Sequence, residues 1–336
     1  MTGIPPTPVS KGEVGWGILG PGGIANIFTR DLIAHGHRVA AVGSRSADNA
    51  RAFAEKWGIE RPHGSYDELL SDPDVDIIYV ATPHNFHAAN ATAALRSGKH
   101  VLVEKAFTVN AAEARSVFGL GRAKGLLVME AMWTRFLPHM AYVRSVIERG
   151  VVGEIRSLHA DHTQRLPSDP AHRLNNPALA GGCLLDLGVY PVSFSHDILG
   201  EPLEVTGRGI LRDTGVDVSV STVLRHRNDA VSTSYSSMET IGPNMAVVLG
   251  TEGRIEIGSV WYSPAVVTVK DAAGQVLERF DEPVSGRGMQ YQAAEAERLI
   301  AAGELESPLM SHEQSIAVMA TMDAVREQIG VRYPDE

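Results

Sequence analysis

The 336-residue chain is short of several things, and each shortage excludes something. It has one cysteine, Cys183, so no internal disulfide can form; a lone thiol suits a reducing compartment, and a cytoplasmic protein is expected. Basic residues are outnumbered, with a formal charge of −10 and a pI of about 5.7, and no basic patch stands out. Nucleic acid is therefore not an expected partner. The longest apolar runs are strand-length, so neither a transmembrane span nor a membrane partner is expected. No H-E-x-x-H and no Cys/His ligand spacing occurs, so no metal is expected. Residues 1–12 are polar and contain prolines, without an apolar h-region, and read as a disordered arm. The chain exceeds one ordinary core, which predicts two domains.

What is present begins with Val14–Ala25, V-G-W-G-I-L-G-P-G-G-I-A. It reads as an apolar strand, then glycines, then the start of a helix, as a dinucleotide-binding βαβ unit opens. Two registers fit G-x-G-x-x-G/A: Gly15, Gly17 and Gly20, or Gly20, Gly22 and Ala25. The first would need its strand in the polar stretch Val9–Val14. The second follows Val14–Leu19 and is preferred, with Gly23 and Ile24 inside the turn. The helix start after it offers N–H groups and a positive dipole end to a pyrophosphate.

The first half alternates strands and helices. Val39–Ser44, Val75–Ala81 and His100–Glu104 read as strands, and Val75–Ala81 is nearly continuous in apolar character, as a parallel strand buried on both faces is. Ala47–Trp57 and His84–Ser97 read as helices, and Asn110 with Glu113 three residues on reads as a helix N-cap. Alternation of this kind predicts a parallel sheet. The second half changes period. Val216, Val218, Val220 and Thr222 alternate with other residues, and 155–163, 203–212, 231–238, 245–249 and 265–270 also read as strands, with Asn228-Asp229 and Ala273-Gly274 at hairpin positions. Helices are expected at Tyr291–Ala302 and Ser311–Ile329. The fold class is therefore α/β: an N-terminal Rossmann domain over 13–133, then an α+β domain over 134–336 built on an open, largely antiparallel sheet of six strands.

Three places carry chemistry. Selectivity for NAD usually rests on an acid about 20 residues past the glycines, at the end of the second strand. Here that stretch is Val42-Gly43-Ser44-Arg45-Ser46, without an acid; Arg45 and the serine hydroxyls suit a 2′-phosphate, so NADP is the expected cofactor, with NAD possible as a second. Glu104-Lys105 closes a parallel strand, at the edge where ligands bind in such sheets. In G-G-C-L-L-D-L-G-V-Y-P, from Gly181 to Pro191, Asp186 and Tyr190 are four apart and share a face if helical. A tyrosine can serve as acid and base where a nearby cation lowers its pKa, and a carboxylate can orient a polar substrate. Pro191 would interrupt a regular helix hydrogen bond there.

These motifs, with A-T-P-H-N-F-H, G-K-H-V-L-V-E-K and M-E-A-M-W-T-R-F-L-P, give the chain a resemblance to the Gfo/Idh/MocA oxidoreductases over Val14–Pro334. Within them it looks like the subgroup of dimeric dihydrodiol dehydrogenases and NADP-dependent D-xylose dehydrogenases. The resemblance implies that Lys105 is the catalytic lysine, that Tyr190 is the acid/base, and that Asp186 positions the substrate. It implies that Trp133 is an aromatic wall beside substrate and nicotinamide. It puts Thr82, Pro83, His84, Asn85 and His87 in a cofactor-side loop, together with Glu104; no proton transfer is assigned to His87. Arg135 and Arg173 are polar substrate-side candidates. It also implies a homodimer built on the C-terminal sheets, with the patch expected on alternate residues of Val216–Leu224 and Val231–Met238. One departure is visible: the family's E-K-P is here Glu104-Lys105-Ala106. A cis bond before alanine costs roughly 2.5–4 kcal/mol against about 0.5–1 before proline, so a trans bond is expected. Cys183 is expected to pack rather than react.

The expected activity is hydride transfer between nicotinamide and a carbinol of a sugar or cyclic diol. A ketosugar or nucleotide-linked ketosugar reductase and a non-catalytic sensor are the alternatives. The presence of both Lys105 and Tyr190 speaks against the sensor.

Overall fold

The computed structural model describes residues 13–334; the arm expected over 1–12 lies outside the described residues. In chain order the first elements are β1 (Gly15–Leu19), α1 (Gly23–Ala34), β2 (Arg38–Gly43), α2 (Ala47–Trp57), β3 (Arg61–His63), α3 (Tyr66–Leu70), β4 (Ile77–Val80), α4 (His87–Arg96), β5 (His100–Glu104), α5 (Ala111–Lys124) and β6 (Val128–Ala131). There follow α6 (Pro138–Glu148), β7 (Ile155–Thr163), α7 (Val189–Leu199), β8 (Glu204–Leu211), β9 (Asp217–Arg225), β10 (Val231–Ser237), β11 (Ala246–Gly250), β12 (Gly253–Ile257), β13 (Val267–Asp271), β14 (Val276–Phe280), α8 (Gln290–Ala302) and α9 (His312–Ile329).

The chain forms two compact units. One holds 13–133 together with Ser285–Ser315. Its sheet runs β3-β2-β1-β4-β5-β6, all parallel. Every residue of β1 and β4 is buried, which is why their sequences are continuously apolar or glycine. Strand order reverses between β1 and β4, and that switch point opens a crevice at the carboxyl ends of the strands. Segment 285–315 belongs here because α8 is tied to this sheet. Glu297 accepts from Trp16 Nε1 and pairs with His37 Nδ1, both at 2.8 Å, and the Val128 N–H donates to Leu305 O at 3.2 Å. A single boundary at 133 does not capture this return. The helical pattern of α8 says that it has an apolar face, not which core receives it.

The other unit holds Thr134–Val284 with 316–334. Its sheet has eight strands, not six, in the order β14-β13-β12-β11-β7-β10-β9-β8, antiparallel except for β7 against β10. The strands added are β12 (G-R-I-E-I) and β14 (V-L-E-R-F), five residues each and carrying two charges each, which gave them too little apolar signal. The hairpin positions are as read: Asn228 and Asp229 take φ of 57° and Gly274 takes φ of 85°. Helix α7 packs on β7 and β10, and α9 is joined to β8 by Gln328 Oε1, which accepts the Gly207 N–H at 2.9 Å. The stretch Pro177–Leu199 is long and apolar enough to cross a membrane, and 89% of its apolar 18-residue window is buried within the fold as core.

Candidate active site

The glycine turn after β1 is shaped for a phosphate. Gly20 takes φ of 92°, and a Cβ placed at Gly22 or Gly23 would meet nothing within 4 Å. Gly22 caps α1 without a side-chain bond, leaving the first N–H groups of the helix to an outside acceptor. Ala25 is fully buried beneath the turn. At the end of β2, Ser44 is buried and its Oγ accepts from the Ser46 N–H at 3.2 Å, while Ser46 caps α2 through the Asn49 N–H. Arg45 is exposed between them. Its guanidinium carbon lies 5.8 Å from the Phe86 ring centre, and its charge acts on the nearby Tyr66. Burial raises the Tyr66 pKa despite the arginine, so Tyr66 is a neutral brace. Facing the turn from the end of β4, Asn85 carries a buried Oδ1 without a hydrogen-bond partner. An open cradle, an uncapped helix and an orphaned acceptor together fit a dinucleotide.

The loops after β4 and β5 are locked to each other. His87 is fully buried, with Nδ1 2.9 Å from Ala106 O and Nε2 2.8 Å from Thr82 O. Burial lowers its pKa, against the pull of the carbonyls that meet its ring nitrogens, and both contacts tie it into the fold. His84 meets it edge-on at 5.5 Å, after Pro83, which opens the helical turn His84–Phe86. Thr82 Oγ1 accepts from Asn90 at 3.0 Å. At the end of β5 the Tyr79 hydroxyl donates to Glu104 Oε1, and the Lys105 N–H donates to Glu104 Oε2 at 3.2 Å. The Lys105–Ala106 bond is cis, which corrects the trans bond expected from the missing proline. Tertiary contacts override the residue preference here: Glu104 holds the N–H on one side, His87 meets the carbonyl on the other, and Ala106 and Phe107 are fully buried.

The segment 181–191 carries the remaining chemistry, within the other unit. A π-helical turn, Leu184–Gly188, runs into α7 and carries Asp186 just before Tyr190. Pro191 has no N–H to give to the Leu187 carbonyl, which takes a backbone N–H at the start of α7 and also lies 3.1 Å from His162 Nδ1. The His162 ring, on β7, thereby lies edge-on to Tyr190 at 4.9 Å and stacks on Tyr262 at 3.8 Å, with Tyr262 tilted against Tyr190 at 5.2 Å. Gln164 Nε2 donates to His162 Nε2 at 2.8 Å, so His162 carries its proton on Nδ1. Tyr190 therefore stands in an aromatic box, 7% exposed. Arg173 Nη2 reaches Asp186 Oδ1 at 3.5 Å. Below, the Asp217 carboxylate accepts the Leu184 N–H at 2.6 Å, and Gly182 lets it approach: a Cβ there would lie 2.3 Å from Asp217 Oδ1. Cys183 is buried, and burial with the nearby Asp217 and Asp186 raises its thiol pKa well above the usual value, as a packing residue requires.

Two family models match this architecture. Residues 14–132 match an oxidoreductase family with an NAD-binding Rossmann fold, and 140–256 match the Gfo/Idh/MocA C-terminal domain. The chain belongs to the Gfo/Idh/MocA oxidoreductase family. Among its relatives is the mouse (Mus musculus) trans-1,2-dihydrobenzene-1,2-diol dehydrogenase, 36% identical over 330 residues, covering 96% of this chain and 98% of that one. A D-xylose 1-dehydrogenase (NADP(+)) of Hypocrea jecorina is 34% identical, covering 95% and 93%. The crystal structure of a 3-ketoreductase from Actinomadura kijaniata with NADP and TDP-benzene superposes with a TM-score of 0.84 at 31% identity, covering 94% and 98%.

Within this Gfo/Idh/MocA chain the remaining candidates divide. Trp133, two residues beyond β6, is 1% exposed at the carboxyl edge of the parallel sheet. Arg173 joins Asp186, as above. Arg135 is 2% exposed and is tied to α7: its Nε donates to Ser193 Oγ at 3.0 Å and its Nη2 to Ser193 O at 2.8 Å, and Asp197 lies beside it. Its charge holds α7 in place. His162, Gln164 and Tyr262 went unrecognised in the sequence. The histidine sits in a polar strand and the tyrosine in a loop 100 residues later, and only the missing N–H of Pro191 hinted at a partner from elsewhere.

Proposed function

We propose that this chain is an NADP-dependent oxidoreductase acting on the carbinol of a sugar or cyclic diol. The observation that carries the reading is the placement of Tyr190 against the His162 and Tyr262 rings, one turn after Asp186. The nicotinamide, when bound, supplies or accepts the hydride at C4. The residues do the rest. Gly20, Gly22 and the α1 terminus hold the pyrophosphate, and Arg45 takes the 2′-phosphate. In oxidation the Tyr190 phenol takes up the hydroxyl proton, aided by the Lys105 ammonium. Asp186, oriented by Arg173, accepts from a neighbouring hydroxyl and fixes which carbinol reacts.

The test is turnover on pentoses, hexoses, inositols and trans-dihydrodiols, followed by nicotinamide absorbance. Tyr190→Phe and Lys105→Met are each expected to lower turnover by roughly 10²–10⁴-fold while NADP binding survives, with losses that do not add. Near-full turnover in Tyr190→Phe would make Tyr190 a wall residue. Likeness to the Actinomadura ketoreductase favours a second reading, reduction of a nucleotide-linked ketosugar.

We also infer a homodimer through the outer face of the eight-stranded sheet. Ile210, Val223 and Tyr235 are exposed on the neighbouring strands β8, β9 and β10, at 66%, 48% and 41%, and Met245, just before β11, at 38%. A large exposed apolar patch marks a partner surface, and a two-fold axis lets it meet itself.

A further inference from the structure

Arg287 has no part in the roles above, yet its loop is built with care. Residues 285–289, S-G-R-G-M, precede α8. Asp31 of α1, fully buried, pins them: its Oδ2 accepts the Arg287 N–H at 2.8 Å and the Met289 N–H at 3.2 Å. Its Oδ1 accepts from Arg30 Nε at 3.0 Å and Nη2 at 2.8 Å, so the carboxylate is already paired. The residues flanking Arg287 are glycines at φ of 68° and 86°. At Gly286 a Cβ would lie 2.5 Å from Asp31 Oδ1, so any side chain there would drive the carboxylate off the loop.

The outcome is a fixed backbone that puts the Arg287 guanidinium carbon 5.0 Å from the Trp133 ring centre. Cation–π contact restrains the head without using its N–H donors. Arg287 is only partly buried, and among the described residues no carboxylate lies within ion-pair distance of its guanidinium. A restrained, unpaired arginine at the carboxyl edge of a parallel sheet is a prepared oxyanion donor.

We propose that Arg287 is an anion-binding residue of this site, taking a phosphate or carboxylate oxygen of a bound ligand. The inference rests on the proposed function only in treating Trp133 as a wall of the ligand site. Two sources share this chemistry: a cofactor phosphate and an anionic group on the sugar substrate.

The experiment is calorimetric titration of the full chain and of Arg287→Gln and Arg287→Lys, each confirmed folded by thermal melting. The ligands are NADPH, D-glucose 6-phosphate, D-glucuronate and, as the neutral control, D-glucose. Loss of one charge-assisted hydrogen bond weakens binding roughly 10- to 100-fold. Arg287→Gln is expected to show that loss for at least one anion, with D-glucose within about twofold and Arg287→Lys in between. Loss confined to NADPH assigns a cofactor phosphate; loss confined to the sugar anions assigns the substrate. Unchanged affinity for every anion, equal weakening of D-glucose, or a wild-type protein that takes up none of the anions overturns the proposal. A wild-type protein that binds a sugar anion but not NADPH sinks the oxidoreductase reading, while the sugar arm still decides Arg287.

Discussion

Asp217→Asn tests how the segment bearing Asp186 and Tyr190 is held. Asp217 is fully buried, and burial pushes its carboxyl up to about 6 even though the Leu184 and Cys183 N–H groups and Arg326 favour the charged form. Cys183, Asp186, Arg326 and Tyr333 are the titratable or charged groups around it. An acid whose pKa is raised on folding binds its proton more tightly in the folded state. Its contribution is therefore full below the ordinary 3.8 and lost as pH rises through about 6. The full shift corresponds to about 3 kcal/mol, of which about 2 kcal/mol falls between pH 4 and pH 7. The side-chain amide that replaces the carboxyl cannot ionise. The stability of Asp217→Asn relative to wild type is thus expected to improve by about 2 kcal/mol from pH 4 to pH 7. His196 and His139, held by burial at about 3 and about 4, act in the opposite sense: each stays neutral in the fold and weakens it as pH falls below 6.5. Both remain in the variant and cancel in the difference.

The assay is urea denaturation of both proteins across that range, at low micromolar concentration because the isoelectric point of about 5.7 lies inside it. Hydrogen exchange of the Leu184 amide, which bonds Asp217 directly, gives a local reading beside the global one. A stability difference that does not change with pH would refute the reasoning, because it would mean that Asp217 does not titrate within the window.

Other outcomes follow from the same geometry. Arg45→Ala is expected to raise the KM for NADP roughly 10- to 150-fold and to leave that for NAD nearly unchanged; equal efficiency with both cofactors in the wild-type enzyme would count against the assignment. Gly182→Ala puts a methyl 2.3 Å from Asp217 Oδ1 at a φ of 127°, and is expected to cost roughly 2–6 kcal/mol in urea denaturation. Val223→Asp with Tyr235→Asp is expected to convert a dimer into a monomer by light scattering; a wild-type monomer with full activity would sink the dimer.

Much of this molecule is written locally in its sequence. The parallel strands show as continuous apolar runs because both their faces are buried, and the caps are read directly: Asn110 Oδ1 accepts the Glu113 N–H at 2.9 Å, and Ser311 Oγ accepts the Gln314 N–H at 3.2 Å. What escaped is non-local. Helix α8 has a helix pattern that cannot name its core, and β12 and β14 are short strands whose pairing supplies what their composition lacks. Ala106 is the sharpest case. Its preference is for trans, and the contacts that decide otherwise come from Glu104 and from His87, 19 positions away. Arg135 is non-local in the same way: the sequence offers a charge near the cleft, and its partner Ser193 lies 58 positions away, with Asp197 beside it.

Pro191 shows how a local defect becomes a functional feature. A regular helix through residues 184–199 would bond the Leu187 carbonyl to the N–H of residue 191, and proline has none. The carbonyl must still be satisfied, because it is buried. A backbone N–H at the start of α7 reaches it, and a further donor comes from outside the helix, His162 Nδ1 at 3.1 Å, bringing a ring against Tyr190. Gln164 then fixes the tautomer from the other nitrogen, and Tyr262 closes the stack. The π-helical turn just before absorbs the irregularity, and its N-terminal end is held by Asp217 through the Leu184 N–H. The position of Tyr190 is thus set from both directions along the chain, by a carboxylate before it and a missing N–H after it. A glycine, Gly182, and a proline, residues usually read as breakers, are what allow that arrangement.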